Sequence, residues 1–379
     1  MKNTLSSVLT ADYAGALVAA LLFPLVIVPQ LGLMAASLAF GLLNLMVAGI
    51  SVWLFRERIG WALRGAWLFG LAACAAALIW TDLIVSLADY AFFEDDVILS
   101  EETPYQRIVL THWKGRYRLF LNGSIQFDTL DEHRYHESLV HPAMTRAARR
   151  ADVLILGGGD GMAAREVLRW PDVERVTLVD LDPRVTELFR DRPQLSHLND
   201  RALRDARIHI VNDDAWLFAR EDTGTYDVII LDLPDPRDFA VSKLYSREFY
   251  AQLVERLSPC GVLVTQAGSP VFAREAFWSV VNTWKETRNP AQPGRALALV
   301  PYHTYIPSFG DWGFVMATQE AAFRDPEPLP NGLKYLNTGL WTAMILFPED
   351  SGPLEVEPNT ILSHPLVTYY EDGWADWLN

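Results

Sequence analysis

Hydrophobic positions fall into two regimes along this chain. Residues 13–55 contain no Asp, Glu, Lys or Arg. A lipid span needs only about 20 such residues, so the stretch predicts two apolar helices meeting near Pro29 and Gln30. Arg56, Arg58 and Arg64 then mark a charged loop, and residues 65–88, apolar except for Asp82, predict a third span. Trp53, Trp61 and Trp80 stand where interfacial aromatic residues belong. Residues 92–102 read as an acidic linker. From Tyr105 the pattern shortens into β segments, QRIVLTHW, RYRLFLNG and SIQFDT, with a turn at Lys114 and Gly115 and a hairpin around Asn122 and Gly123. Beyond residue 150, apolar runs of strand length at 153–156, 176–179, 207–211, 228–231 and 261–266 alternate with helical patterns, among them 162–170 and 247–256. A terminal helix is predicted at 336–347, ahead of a Pro-rich remainder without a motif. The expected organisation is membrane helices over 1–90, a small β domain over 96–140, an α/β domain over 141–320 and an extension over 321–379.

Composition narrows this picture. Half of the 379 residues are hydrophobic, and they crowd into the N-terminal quarter. The alternative to membrane spans there is a buried hairpin of a soluble protein. A cleaved signal peptide fits poorly, because the apolar run is too long and only Lys2 supplies a basic n-region. The two cysteines, Cys74 and Cys260, exclude a disulfide framework or a Cys-based metal site. A net charge of −15 argues against a nucleic-acid partner and is compatible with a cationic substrate.

Candidate chemistry begins at ADVLILGGGDGMAAREVLRWPDVERVTLVDLDP, residues 151–183. A short strand runs directly into Gly157, Gly158, Gly159, Asp160 and Gly161. A helix follows, ended by Pro171, and a second strand closes on Asp180. Strand, glycine turn, helix, strand and acid make a nucleotide-binding unit and predict a Rossmann-like, methyltransferase-type parallel sheet. Glycines let a ligand approach the backbone where a Cβ would block it. Asp180 is placed to accept from both ribose hydroxyls. Asp160 would repel a pyrophosphate or a ligand carboxylate and favour a ligand ammonium. The ligand expected is therefore a nucleoside and not a dinucleotide.

Two further acidic clusters follow predicted strands, at the carboxyl ends where such sheets bind ligands. Asn212, Asp213, Asp214 and Ala215 come after the third strand; Asp232, Leu233, Pro234, Asp235 and Pro236 come after the fourth. For Asp213 and Asp214 a plain helix N-cap is the alternative. Tyr135 alone is more often a core aromatic, and for His136 beside Glu137 at a helix start the alternative is an ordinary capping arrangement. No second histidine shows metal spacing, so no metal site is expected.

GGGDG at 157–161, LVDLDP at 178–183, YDVIILDLPDP at 226–236 and LYSREFY at 244–250 resemble the spermidine synthase family of aminopropyltransferases, in particular its membrane-anchored bacterial branch. The resemblance covers roughly residues 105–314, in order and without large gaps. It departs from the family where Leu233 and Pro234 replace the usual small residues between the two acids. It implies donor contacts from Gln106, Gly157, Gly159, Asp160, Gly161, Asp180, Asp214 and Ala215, with Asp214 accepting from the adenine amino group. It also implies an amine pocket lined by Tyr135, His136, Asp235, Gln266 and Tyr305, and a closing segment at 238–246. The catalytic base implied is Asp232.

The implied reaction moves an aminopropyl group from decarboxylated S-adenosylmethionine, a co-substrate, to a diamine, usually putrescine. The products are spermidine and methylthioadenosine, and no permanently bound cofactor is called for. The expected partners are the diamine, the nucleoside donor and a lipid bilayer, with a homodimer as a possible assembly and no nucleic acid. Substrate supply puts the catalytic domain on the cytoplasmic side of an inner membrane. The positive-inside rule instead puts the loop 56–64 there, and three spans would leave the domain outside. Either the rule fails, or one span is not a crossing, or helices are missing from the N-terminus. The rival readings are a methyltransferase of the same fold, which would not need paired acids, and a membrane binding or transport protein with a regulatory nucleotide fold. Asn44 and Asp82 lend the latter meagre support within the spans.

Overall fold

The computed structural model describes residues 2–378 and divides into two compact units, one ending at Ile125 and one beginning at Gln126.

The first unit opens with α1 (Lys2–Leu22), a π-helical turn (Phe23–Ile27) and α2 (Val28–Leu54). The break between the first apolar helices falls at Gly32, with φ 75° and ψ 164°, two residues past Gln30. Proline is tolerated in the first turn of a helix, whose N–H groups have no partner anyway, whereas positive φ is open mainly to glycine. The third apolar helix, α3 (Trp61–Ile79), begins and ends earlier than expected. It breaks at Trp80 before α4 (Thr81–Phe92). There the Thr81 hydroxyl donates back to the carbonyls of Ala77 and Leu78, a bond that bends helices. Among the described residues, Met34–Leu54 and Trp61–Ile79 are long and apolar enough to cross a membrane; Leu9–Leu22 is shorter.

A four-stranded sheet follows, in the order β1 (Asp96–Glu102), β2 (Arg107–Trp113), β3 (Arg116–Leu121) and β4 (Ser124–Asp128). Residues 96–102 are thus an edge strand and not a linker. Their alternating burial is strand periodicity, and their carboxylates guard an open edge. Gln106 lies in the β1–β2 turn, where its carbonyl accepts from the N–H of Thr103.

The second unit begins with α5 (Glu132–Met144), in which the expected domain boundary at residue 140 falls. Then come β5 (Asp152–Gly157), α6 (Met162–Val167), β6 (Arg175–Asp180), α7 (Pro183–Asp191), α8 (Pro193–Leu198), β7 (Ile208–Asn212), α9 (Ala215–Glu221) and β8 (Tyr226–Asp232). The chain continues with a single turn α10 (Phe239–Ser242), α11 (Arg247–Glu255), β9 (Leu257–Gly268), α12 (Arg274–Glu286), β10 (Ala298–Ile306), β11 (Gly310–Thr318), α13 (Thr338–Met344) and α14 (Pro365–Leu378). The seven strands form one sheet in the order β10-β11-β9-β8-β5-β6-β7. β7, β6, β5, β8 and β9 run parallel; at one edge β11 runs antiparallel to β9, and β10 antiparallel to β11. Strand order reverses at β5, so a crevice opens between the carboxyl ends of β5 and β8. In open α/β sheets this is where ligands bind.

Three local expectations need correction. α6 stops at Val167 and not at Trp170: the N–H groups of Arg169 and Trp170 reach back three residues, to Glu166 and Val167, tightening the chain ahead of Pro171. α13 is shorter than 336–347. The Glu137 carboxylate holds the N–H of Leu336 in place, and Asn337 caps the helix by accepting from the N–H of Leu340. It is also not the terminal helix, because the remainder carries α14, which packs on α12.

Candidate active site

The glycine loop is shaped by what it touches. Gly157 has φ 82°, and a Cβ there would lie 2.0 Å from the Asp232 carbonyl oxygen. The N–H of Gly158 donates to that same carbonyl at 3.1 Å. A Cβ on Gly159 would meet the Asp180 carboxylate at 2.5 Å, and the N–H of Gly159 donates to Asp180 Oδ2 at 2.9 Å. Gly161, with φ 76°, starts α6. A Cβ would thus meet backbone at Gly157 and a side-chain carboxylate at Gly159, where β5, β6 and β8 converge.

Four carboxylates gather at this crevice in different environments. Asp180 Oδ1 accepts from the N–H of Asp182, yet burial lifts its pKa to about 6. Asp160 Oδ1 accepts from the N–H of Met162 at 2.9 Å, and burial raises its pKa against the pull of His136. Asp232 ends β8 and accepts from the Tyr135 hydroxyl at 2.8 Å. Burial raises its pKa to about 6; Asp160 adds to this, while His136 and Tyr135 work against it. Asp235 lies beyond the Leu233-Pro234 turn, and burial raises its pKa also. Its Oδ2 accepts from the Tyr370 hydroxyl at 2.6 Å, and Gln266 Nε2 stands 3.5 Å from its Oδ1.

His136 is buried in α5, and its Nδ1 lies 2.9 Å from Glu132 Oε2, one helical turn earlier. Burial by itself would lower the imidazole pKa, but Glu132 outweighs it and lifts the value to about 9. The site therefore contains an imidazolium facing acids at neutral pH. Glu132 also accepts from Arg165 Nη2 at 2.8 Å, Arg165 Nε donates to Glu166, and Glu166 Oε2 faces His141 Nε2 at 3.1 Å. The Trp170 indole N–H donates to the other ring nitrogen of His141. This buried chain of charges ties α5 to α6 behind the glycine loop.

The remaining candidates lie less centrally. Asp214 caps α9, accepting from the N–H of Trp216 at 2.8 Å, while its Oδ2 pairs with Lys243 at 2.7 Å; Ala215 is the first residue of that helix. The helix-cap alternative is therefore realised for Asp214. Gln266 is buried, donating to the Leu233 carbonyl at 2.9 Å and accepting from the N–H of Gly268. Tyr305 is 59% exposed on β10, and its carbonyl accepts from Arg134 Nη1 at 3.2 Å. Residues 238–246 form α10 and a 3₁₀ turn (Lys243–Tyr245). Among the described residues, no three His, Cys, Asp or Glu gather as a metal site requires.

Sequence reasoning missed Glu132, Arg165 and Tyr370. The i,i+4 spacing of Glu132 and His136 was a usable signal. Tyr370 had none, being 135 positions from the acid it serves.

Residues 132–325 match the spermine/spermidine synthase domain family. Polyamine aminopropyltransferase 2 of Ralstonia nicotianae is 43% identical over 98% of this chain and 73% of its own length. The polyamine aminopropyltransferase of Leptospira interrogans is 40% identical over 98% of this chain and 74% of its own. Among solved structures, a spermidine synthase in complex with the transition-state analogue AdoDATO superposes with a TM-score of 0.60 at 26% identity, covering 67% of this chain and 86% of that one. The Thermotoga maritima spermidine synthase gives 0.59 at 26% identity, covering 67% and 85%. The parallel sheet with acids at its switch point, and these likenesses across nearly the whole sequence, together mean that the chain belongs to the spermine/spermidine synthase family.

Proposed function

We propose that this enzyme transfers the aminopropyl group of decarboxylated S-adenosylmethionine to putrescine, with Asp232 as the base. The observation that carries the reading is a buried carboxylate at the sheet's switch point, oriented by Tyr135 and raised to about pH 6. A protonated alkyl amine, with a pKa on the order of 10, has no lone pair to attack with. Asp232 accepts its proton, the nitrogen lone pair attacks the methylene carbon beside the sulfonium, and the carbon–sulfur bond breaks. The electron pair returns to sulfur, and methylthioadenosine leaves as a neutral thioether. General-base help of this kind contributes roughly 10²- to 10⁴-fold, and orientation of the two substrates contributes much of the rest.

In this reading Asp180 accepts from the ribose hydroxyls, and its raised pKa falls back when those donors arrive. Asp160 pairs with the donor's amine and repels the carboxylate that ordinary S-adenosylmethionine carries. Asp214 with Ala215 receives the adenine. Asp235 takes the acceptor's second ammonium, with Tyr135, His136, Gln266 and Tyr305 around the amine.

The N-terminal helices are proposed to anchor the enzyme in an inner membrane, with the catalytic unit on the cytoplasmic side. α3 has no buried residue, and Trp61 and Phe69 are 87% and 76% exposed. Its packing on α2 is of a membrane kind. A Cβ on Gly49 would meet the Trp67 ring at 2.6 Å, Gly41 faces Cys74, and the Trp67 indole N–H donates to the Leu45 carbonyl at 2.7 Å. Gly41 and Gly49, eight residues apart on α2, let the two helices approach closely, as small residues do in lipid.

The test is mass spectrometry of the detergent-purified protein offered decarboxylated S-adenosylmethionine with a panel of amines, and S-adenosylmethionine in parallel. Methylthioadenosine release with putrescine, lost in Asp232→Asn without loss of fold, supports the reading. Methylated product from the ordinary donor, or no turnover with any amine, refutes it. For the anchor, the full chain should stay with membranes through an alkaline carbonate wash; recovery in the soluble fraction would count against it.

A further inference from the structure

The two carboxylates of the β8 loop are each held by a tyrosine from elsewhere in the second unit. Tyr135 of α5 donates to Asp232 Oδ1 at 2.8 Å, and Tyr370 of α14 donates to Asp235 Oδ2 at 2.6 Å. Tyr370 belongs to a stretch whose sequence offered no motif. It is only 4% exposed, and its ring lies beside the Arg237 guanidinium, 5.8 Å away.

The hydroxyl is delivered by a close helix contact. Leu366, Tyr370, Gly373, Trp374 and Trp377 share one face of α14 at spacings of three and four. A Cβ on Gly373 would stand 2.7 Å from the Cα of Ala273, so the helix sits as near the start of α12 as backbone allows. Phe272 packs on Trp374 and Trp377 at ring-centre distances of 5.0 and 5.1 Å. One turn away, Leu366 is fully buried. A residue fixed on both sides along its helix holds its side chain to a narrow range of positions, and a phenol donating to a carboxylate fixes that carboxylate's plane.

We propose that Tyr370 is a positioning residue for the acceptor amine: by binding Asp235 Oδ2 it turns Oδ1 toward the acceptor's distal ammonium and closes that end of the pocket. Among the described residues, the hydrogen-bond approach to Oδ1 is that of Gln266 Nε2 at a long 3.5 Å, which leaves it the better acceptor for an incoming ammonium. The inference rests on the reading that Asp235 receives that ammonium. It assigns the C-terminal helix a part in acceptor binding and makes Tyr370 a determinant of acceptor length.

The test is steady-state kinetics on the full chain in detergent, with Tyr370→Phe, Asp235→Asn and the double variant. In Tyr370→Phe the KM for putrescine should rise about tenfold or more, the range for losing one hydrogen bond to a charged group. The KM for the donor and kcat should stay within about twofold. In the Asp235→Asn background the same change should add little, because the two residues act through one contact. Tyr370→Ala should shift preference from putrescine toward a diamine one or two carbons longer. An unchanged putrescine KM in Tyr370→Phe sinks the inference, as does an equal rise for both substrates that persists in the Asp235→Asn background. If the unaltered enzyme turns over putrescine, only the inference falls; if it does not, the function falls with it.

Discussion

The Tyr135 hydroxyl donates to Asp232 Oδ1 at 2.8 Å, joining α5 to the end of β8 across 97 positions of sequence. Burial holds the tyrosine pKa well above its ordinary value, so it stays a donor throughout the working range, and its donation favours the ionised form of Asp232. The base must be ionised to accept a proton, so kcat/KM should fall as pH drops through about 6. Tyr135→Phe removes a stabiliser of the carboxylate, so its pKa moves up and the acid limb moves to higher pH. A pH–rate profile checks this; a limb at the same pH in the variant would contradict it.

Glu132 stands between His136 and Arg165 inside the protein. Burial would raise its pKa, but these two cations lower it from 4.5 to about 2, while His136 rises from 6.5 to about 9. The acid's contribution to stability is full above pH 4.5 and is lost as pH falls toward 2. That of His136 is full below pH 6.5 and is lost as pH rises through 9. Glu132→Gln leaves buried His136 without its acid and Arg165 with Glu166 as its remaining carboxylate, so unfolding in urea at pH 5.5 should show a loss of about 3–5 kcal/mol. The loss should shrink at both pH extremes.

Two glycines of the loop separate backbone from ligand requirements. Gly157→Ala puts a Cβ against a backbone oxygen at 2.0 Å, at φ 82°. The conformation alone costs about 1–3 kcal/mol and the clash adds to it, so little folded protein is expected by thermal melting. In Gly159→Ala the nearest atoms are those of the Asp180 carboxylate, at 2.5 Å, a side chain that can shift where backbone cannot. That variant should fold with a melting temperature within a few degrees of the parent, yet bind the donor at least about tenfold more weakly by calorimetry.

Asp160 carries a test of donor choice. If its carboxylate repels the carboxylate of S-adenosylmethionine, Asp160→Asn should bind that molecule more tightly as a competitive inhibitor while losing kcat/KM for the decarboxylated donor. Specificity of this kind is a difference of two affinities. Equal changes for both donors would remove Asp160 from the discrimination.

Much of the second unit was readable locally. The run from β5 through the glycines to Asp180 writes its signals within a few tens of residues: strand period, positive-φ glycines and an acid at a strand end. Its strands fall within a residue or two of their expected places. Helix ends were less legible, as at Val167 and Asn337, because a backbone bond or a distant carboxylate decides where a helix stops. His136 shows the same limit. Beside Glu137 at a helix start it reads also as a capping arrangement, and only packing against β8 and α6 buries it against Glu132.

The amino-acid sequence by itself determined the alternation of strands and helices, the apolar helices at the N-terminus and the acidic turns at the strand ends, since each depends on neighbours within a turn or a hairpin. Tertiary structure alone decided which acids share a crevice and which side chains hold them. It brought Tyr135 from before the sheet and Tyr370 from beyond it onto the two carboxylates of one loop. Those contacts follow from strand order and from the close approach of Gly373 to Ala273. No local periodicity encodes them, because burial, which sets both the geometry and the raised pKa values, is a property of the packed whole.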